Sequence, residues 1–242
     1  MNTALSISRF ANPGRFLAAA RWLLPVSWGI AALALAAGVY TAFFASPPDY
    51  QQGDTVRIMY IHVPAAWMAL MIYTTMAVAA LVGLVWKHIV AELYAKAVAP
   101  VGAAFTLICL VTGSLWGRPM WGTWWVWDAR LTSVLILFFL YIGYIALVDA
   151  FDDEQRGLNA GAGLLLVGFV NIPIIKFSVD WFNTLHQPAS IMRLGAPTID
   201  GAMLVPLLLI AAGFHALFVA LSCLRLKTEI SLRRTRAKGL TA

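Results

Sequence analysis

Charged residues are scarce in this chain of 242 residues: Asp, Glu, Lys and Arg make up 12% of it, whereas hydrophobic residues make up 61%. The mean hydropathy is +0.80. Soluble domains carry roughly 25% charged residues. The composition therefore excludes an ordinary soluble protein and predicts an integral membrane protein.

Cysteine is also scarce. Cys109 and Cys223 each lie inside an apolar run, and neither belongs to a Cys-x-x-Cys spacing. The sequence predicts no disulfide framework and no thiolate metal site, and we interpret both residues as small packing residues. The sequence also lacks an internal repeat and a phosphate-binding glycine motif, so nucleotide binding is not predicted.

Six apolar stretches approach or exceed the ~20 helical residues needed to cross a hydrocarbon core about 30 Å thick. They are residues 22–45, 60–86, 97–116, 131–149, 159–177 and 202–224. The prediction is one all-α membrane domain over residues 1–242, a bundle of six transmembrane helices. The first stretch lacks a clear small-residue cleavage site, so we expect a retained span and not a signal peptide.

Lysine and arginine are distributed unevenly between the two ends of such a bundle. The terminal tails, with Arg9 and Lys238 among their cations, and the second and fourth loops together hold twelve of the seventeen. By the positive-inside rule we expect cytoplasmic termini, and we expect the other three loops to face the periplasm of a bacterial inner membrane. The net charge of +6 is then explained by topology and anionic lipid, without nucleic acid.

Tryptophan is concentrated after the third span. Five of the ten tryptophans are Trp116, Trp121, Trp124, Trp125 and Trp127. An interfacial aromatic belt is one explanation. If residues 121–128 form a short helix, however, Trp121, Trp124, Trp125 and Asp128 share one face. That face would suit a large, flat, apolar ligand with charged edges.

Two charged residues follow the tryptophans directly. Arg130 is a candidate partner for ligand carboxylates, and Arg57 and Arg193 are further candidates. The alternative for Arg130 is that its side chain extends from a helix end towards the headgroups. Asp128 stands where it would cap the fourth span or orient a neighbouring group.

The four histidines differ in predicted position. His62, at the outer end of the second span, and His186, in the last outer loop, are expected on the same side as the tryptophans. Two imidazoles approaching a plane from opposite sides form an axial pair for haem iron. We interpret His88 as a solvated flank on the inner side, and mid-span His215 as a neutral imidazole hydrogen-bonded to a neighbouring helix.

These features resemble a known family. The segment WGTWWVWDARLTS, with His62 and His186 and six spans over essentially the whole chain, closely resembles the haem exporter protein C family (CcmC) of bacterial cytochrome c maturation, which belongs to the haem-handling proteins with a WWD motif. The resemblance implies that residues 117–130 are the WWD haem-binding loop and that His62 and His186 ligate the iron of haem b (iron protoporphyrin IX). It assigns haem binding to Trp121, Gly122, Trp124, Trp127, Asp128 and Arg130, to which the stacking argument adds Trp125.

The resemblance also implies partners. These are an ABC transporter pair (CcmA and CcmB), a small membrane protein (CcmD) and a periplasmic haem chaperone (CcmE), to which we expect the chain to present haem. A haem channel through the bundle, a haem ligase and a membrane scaffold anchored by its tryptophans stay open as alternatives. No nucleophile with an adjacent base is apparent in the sequence, which favours a haem-transfer protein over an enzyme.

Overall fold

Helices dominate the part of the chain that the computed structural model describes, residues 12–188, 190, 191, 193, 195–237 and 239. Arg9 and Lys238, which contribute to the predicted inner charge, lie outside these residues. The α-helices within them are α1 (Pro13–Tyr40), α2 (Met59–Trp86), α3 (Ile89–Trp121), α4 (Ala129–Asp149), α5 (Glu154–Gly168), α6 (Asn171–Trp181) and α7 (Gly201–Ala237). A π-helical segment, Thr41–Ala45, extends α1, and a 3-10 helix, Asp54–Ile58, precedes α2.

Six helical segments of the described chain are long and apolar enough to cross a membrane. They are Pro13–Ala45, Asp54–Trp86, Ile89–Trp121, Ala129–Asp149, Glu154–Trp181 and Gly201–Arg236. This confirms the prediction of an all-α membrane protein with six spanning helices.

Several helices begin at residues whose side chains satisfy an exposed backbone amide. Asn12 caps α1 by accepting a hydrogen bond from Gly14 N at 2.8 Å, and Asp153 caps α5 by accepting one from Arg156 N at 2.8 Å. His88 caps α3, since its Nδ1 accepts from Ala91 N at 3.1 Å, and it is buried. The interpretation of His88 as a solvated flank is therefore wrong, because the imidazole turns back onto the first turn of its own helix.

The fifth spanning segment contains a break that the hydrophobic pattern does not reveal. Helix α5 ends at Gly168 and α6 begins at Asn171. Pro173 lies in the first turn of α6, where it has no amide hydrogen and its ring would collide with the carbonyl of Phe169 in a continuous helix. The Asn171 side chain donates to the carbonyl of Ser133 on α4 at 2.9 Å. The break thus leaves α6 packed against α4.

Glycines allow close packing between the first and last spans. A Cβ on Gly38 of α1 would lie 2.6 Å from the side chain of Ile210, and one on Gly213 of α7 would lie 2.6 Å from Leu35. The two pairs run in opposite directions along the helices, so α1 and α7 are antiparallel neighbours. The buried Cys223 lies further along α7, and Cys109 is buried on α3.

A group of charged side chains ties four helices together at one end of the bundle. Lys96 Nζ on α3 lies 3.5 Å from Glu229 of α7, 3.7 Å from Glu154 of α5 and 3.9 Å from Asp149 of α4. The Lys96 side chain is only 17% exposed, so these carboxylates offset the cost of burying its charge. This end is the one opposite the tryptophans.

Candidate functional site

The other end of the bundle brings together segments that are far apart in the sequence. They are the start of α2, the end of α3, the residues between α3 and α4, and the residues between α6 and α7. His62, the WGTWWVWD segment and His186 belong to these segments. Direct contacts, described below, connect them.

The tryptophan segment is an extension of α3 followed by irregular chain. Helix α3 continues through Trp121, and Gly122 ends it with φ of +76°, a left-handed conformation that favours glycine. Gly122 N donates to Arg118 O at 3.1 Å, which completes the last turn. Residues 121–128 therefore do not form the short helix that would place Trp121, Trp124, Trp125 and Asp128 on one face, because that glycine reverses the backbone before a new turn can form.

Three of the indoles differ in exposure. Trp124 is 56% exposed and Trp127 is 76% exposed. Trp125 lies between them and is partly buried, and its ring meets that of Trp127 edge to face, with centroids 5.6 Å apart. The Trp125 Nε1 atom is buried and has no hydrogen-bond partner among the described residues. The segment therefore offers two open apolar faces and one unpaired donor.

Asp128 joins the tryptophan segment to the loop after α6. Its Oδ1 caps α4 by accepting from Leu131 N at 2.7 Å. Its Oδ2 accepts from the Thr184 hydroxyl and lies 3.3 Å from Nδ1 of His186. The sequence left two roles open for Asp128, capping the fourth span and orienting a neighbouring group. Asp128 has both, since one oxygen caps α4 and the other contacts His186.

The protonation of this pair follows from its surroundings. Burial on its own raises the pKa of Asp128, but the hydrogen bonds from Thr184 and Leu131, together with the nearby imidazole, lower it overall. Burial lowers the pKa of His186, and Asp128 opposes that effect only in part. At neutral pH His186 is therefore neutral beside an ionised carboxylate. Since a carboxylate only accepts, Nδ1 of His186 carries the proton and Nε2 keeps its lone pair.

Trp121 and Thr184 complete the surroundings of His186. The Trp121 and His186 rings lie edge to face, with centroids 4.9 Å apart. The Thr184 hydroxyl oxygen also accepts from the backbone N of His186 at 3.1 Å. Thr184 was not predicted from the sequence. A threonine two residues before the histidine is a local signal for such a turn.

His62 is held by α3. Its Nδ1 lies 3.1 Å from the hydroxyl oxygen of Thr112. That hydroxyl already donates to the carbonyl of Ile108 at 2.6 Å, so its oxygen must accept from Nδ1–H of His62. In the neutral ring, Nε2 of His62 then also keeps its lone pair. Gly113 leaves room for the ring, since a Cβ there would lie 3.0 Å from Cε1 of His62.

Trp116 packs against the same histidine. The two rings lie edge to face, with centroids 5.7 Å apart. Trp116 Nε1 donates to Oε1 of Gln52, in the loop between α1 and α2, at 2.9 Å. Gln52 therefore supports the site indirectly, although no sequence pattern singled it out.

The arginines predicted as partners for carboxylates have different surroundings. Arg130 Nε donates to the Ser178 hydroxyl at 3.1 Å, and its Nη2 donates to the carbonyls of Ile175 and Lys176 at 3.4 Å each. Arg130 thus binds the last turn of α6, where a positive charge is favourable. Arg57 pairs with Asp54 at 3.0 Å. Arg193 is exposed.

The described residues contain no group of three or more His, Cys, Asp or Glu side chains that could hold a metal ion. His215 lies far from this end, in the middle of α7, and its Nδ1 is 2.7 Å from the carbonyl of Ala211. The predicted bond to a neighbouring helix is wrong, because the ring folds back onto its own helix. Two imidazoles bound through Nδ1, beside exposed indoles, are the main chemistry of the site.

These features define a class: a multi-pass helical membrane protein with an aromatic, histidine-bearing surface at one end of its bundle. The family model described as "CcmC: Heme exporter protein C" matches residues 6–241. The chain belongs to the heme exporter protein C family.

Curated relatives agree over nearly the full length. Heme exporter protein C of Bradyrhizobium diazoefficiens is 54% identical over 233 residues, which cover 96% of this chain and 88% of that protein. Heme exporter protein C of Escherichia coli K12 is 48% identical over 96% of this chain and 93% of its own length. A putative cytochrome c biosynthesis ccmC-like mitochondrial protein of Marchantia polymorpha is 48% identical over 82% of each chain.

Replacing Asp128 by Asn tests the electrostatic part of this arrangement. Asn keeps the cap of α4 and an acceptor for Nδ1, but it removes the charge that raises the pKa of His186. We expect the pKa of His186 to fall further below the ordinary histidine value, as measured by NMR titration of the purified protein labelled with ¹⁵N-histidine. Asp200→Asn is the matched control, since Asp200 accepts from Ala202 N at the start of α7 and should leave His186 unchanged. An unchanged titration in Asp128→Asn would contradict the assignment.

Proposed function

We propose that this chain binds haem b between its exposed indoles and two histidines, and that it presents the haem at the periplasmic face of a bacterial inner membrane to the chaperone CcmE. The observation that carries the proposal is the hydrogen bonding of the two imidazoles. His62 and His186 come from distant parts of the chain, lie at the same end of the bundle, and are each bound through Nδ1. Both Nε2 atoms are left with a lone pair, which is what haem iron accepts.

Family membership supports the coarser part of this proposal, a haem-handling role in cytochrome c maturation. The relatives are named heme exporter protein C and putative cytochrome c biosynthesis ccmC-like mitochondrial protein. The six spanning helices place the chain in a membrane as a multi-pass protein. Haem b as the particular cargo, and the periplasmic side, are our additions.

The residues at this end suit a tetrapyrrole. Haem is a large apolar plane, and the exposed faces of Trp124 and Trp127 can stack against such a plane. Its propionates are hydrogen-bond acceptors, and the buried Trp125 Nε1 can only donate. Arg193 is an exposed cation in the loop after α6, whereas Arg57 and Arg130 would have to exchange present partners to bind a propionate.

Each side chain then has a definite task. The indoles would bind the apolar plane and exclude water from it, and His62 at the start of α2 and His186 in the loop after α6 would hold the iron. Asp128 keeps the proton of His186 on Nδ1, and Thr112 does the same for His62, as outer-shell partners do for metal-binding histidines. Bound haem supplies the iron that accepts these ligands.

Exposure of the indoles favours transfer to a partner. A site at the end of a bundle leaves one edge of the ring accessible, which a chaperone such as CcmE requires. The ATP-driven pair CcmA and CcmB would assist release, since this sequence has no nucleotide motif, and CcmD would join the same assembly.

The core of the bundle argues against a haem channel. Fully buried side chains fill it, with Tyr141 donating to the carbonyl of Ala69 at 2.8 Å and Tyr73 packed edge to face on Tyr141. A Cβ on Gly102 would lie 2.2 Å from the Tyr141 ring. Helices packed this closely favour a surface site over a passage.

The histidine ligands are tested by single replacements. His62→Ala and His186→Ala each remove one nitrogen ligand, so we expect weakened haem retention or a shifted haem absorption band in the purified protein. His88→Asn is the matched control, because Asn keeps the cap of α3 at the opposite end and should leave the spectrum as in the parent. If both alanine variants retain the parent spectrum, the axial assignment is wrong.

The tryptophan surface is tested by affinity. Trp124→Ala and Trp127→Ala each remove a stacking face worth about 1 kcal/mol, so haem should bind roughly fivefold more weakly. Trp22→Ala is the control, because Trp22 is also exposed, at 78%, but lies on α1. Haem titration followed by absorbance measures the difference. Equal effects at all three positions would indicate a general membrane-anchoring role.

The proposed orientation is tested by labelling. Both native cysteines are buried, so new cysteines can be placed at Tyr50, near the site, and at Ser231, near the other end of the bundle. In spheroplasts a membrane-impermeant maleimide should label Tyr50→Cys at once and Ser231→Cys only after lysis. The reverse pattern would place the histidines on the cytoplasmic side.

A further inference from the structure

One ionisable side chain lies exposed in the apolar part of the last helix. His215 is fourteen residues after Gly201, the start of α7, and ten residues before Arg225, its first charged residue. At 1.5 Å per residue these separations are about 21 Å and 15 Å. His215 is therefore near the middle of the hydrocarbon core, too deep for its ring to reach the headgroups.

The face of α7 that carries His215 has no partner helix within the described chain. Leu208, Ala212, His215 and Val219 follow at the spacing of one helical face, and all four are exposed. The other faces of α7 are occupied. Ile210 and Gly213 pack on α1, and Phe214 contacts Phe105 of α3, with ring centroids 5.1 Å apart.

The hydrogen bond of His215 determines which atom faces outwards. The carbonyl of Ala211 lies 2.7 Å from Nδ1, and a carbonyl can only accept. Nδ1 therefore carries the proton, and in the neutral ring Nε2 is an acceptor. Lipid chains offer no donor, so this acceptor is unsatisfied at a depth where an unpaired polar group is costly.

We propose that this face of α7 is the docking surface for a transmembrane helix of a different protein, which donates a hydrogen bond to Nε2 of His215 from a hydroxyl, amide or indole side chain. Ala212, three residues earlier on the same face, permits close approach of the two backbones. A symmetric second copy whose two His215 rings meet at the axis does not fit, because it would bring an acceptor against an acceptor. The inference does not depend on haem binding, since His215 is remote from the site described above.

The experiment combines replacement with cross-linking in the native host, using the full-length tagged chain. A photoreactive benzoylphenylalanine at Ala212 should form an adduct with one membrane protein, and the same reagent at Val167, 75% exposed on α5, should not. Mass spectrometry of the adduct should identify a spanning helix of another protein with a donor side chain at the contact.

Replacement of His215 shows whether the imidazole matters for that adduct. His215→Leu should lower its yield roughly threefold to tenfold, the range expected for one hydrogen bond between membrane helices. His215→Gln, which has an acceptor oxygen, should restore much of it. The haem spectrum should be unchanged in both variants, so a failure of the haem proposal would be seen separately.

Three results would overturn the inference. They are adducts of lipid alone, adducts of two copies of this chain, and an adduct whose yield does not depend on the residue at position 215. Gel filtration of the Leu variant checks that it folds as the parent does.

Discussion

The site depends on one constraint: a partly buried imidazole needs a hydrogen-bond partner from the protein for at least one of its ring nitrogens. His62 and His186 are both partly buried, and each has its Nδ1 bound by a neighbour, Thr112 in one case and Asp128 in the other. Both partners have fixed hydrogen-bonding roles, since the Thr112 proton is directed to Ile108 and Asp128 is ionised. The tautomer of both rings is therefore determined by the surrounding chain.

The supports of the two histidines also link separate helices. Asp128 caps α4 with one oxygen and binds the loop after α6 with the other. Arg130, two residues later, binds the last turn of α6. Loosening α6 from α4 would therefore move His186 relative to α3. The break between Gly168 and Pro173 separates α6 from α5. The position of the loop after α6 therefore depends on the contacts that Asp128 and Arg130 make.

The two ends of the bundle are built from different chemistry. At the end away from the tryptophans, Lys96 gathers three carboxylates and fixes four helices. At the end with the histidines, imidazoles and exposed indoles lie beside the Asp128 carboxylate. The first arrangement holds helices in place, and the second leaves one ring nitrogen of each histidine without a hydrogen-bond partner among the described residues.

Local signals in the sequence explain several differences between prediction and structure. Tryptophan spacing favoured a short helix over residues 121–128, but Gly122 outweighs it by ending α3 in a left-handed conformation. Pro173 marks the break in the fifth span, which hydropathy does not detect. The sequence predicted a solvated His88 because this residue follows Lys87. The cap that His88 forms on α3 involves only the next three residues of the chain.

The amino-acid sequence by itself determined the membrane class, the six apolar helices and the grouping of indoles and two histidines at one end. The length of each apolar stretch predicts a spanning helix, and successive spans alternate in direction, so neither result depends on how the helices pack. Only the tertiary structure decided how the histidines are held. Thr112 reaches His62 from another helix, and Asp128 reaches His186 from the connection between α3 and α4. Such contacts depend on how helices rotate and pack, which residue order along one segment does not specify.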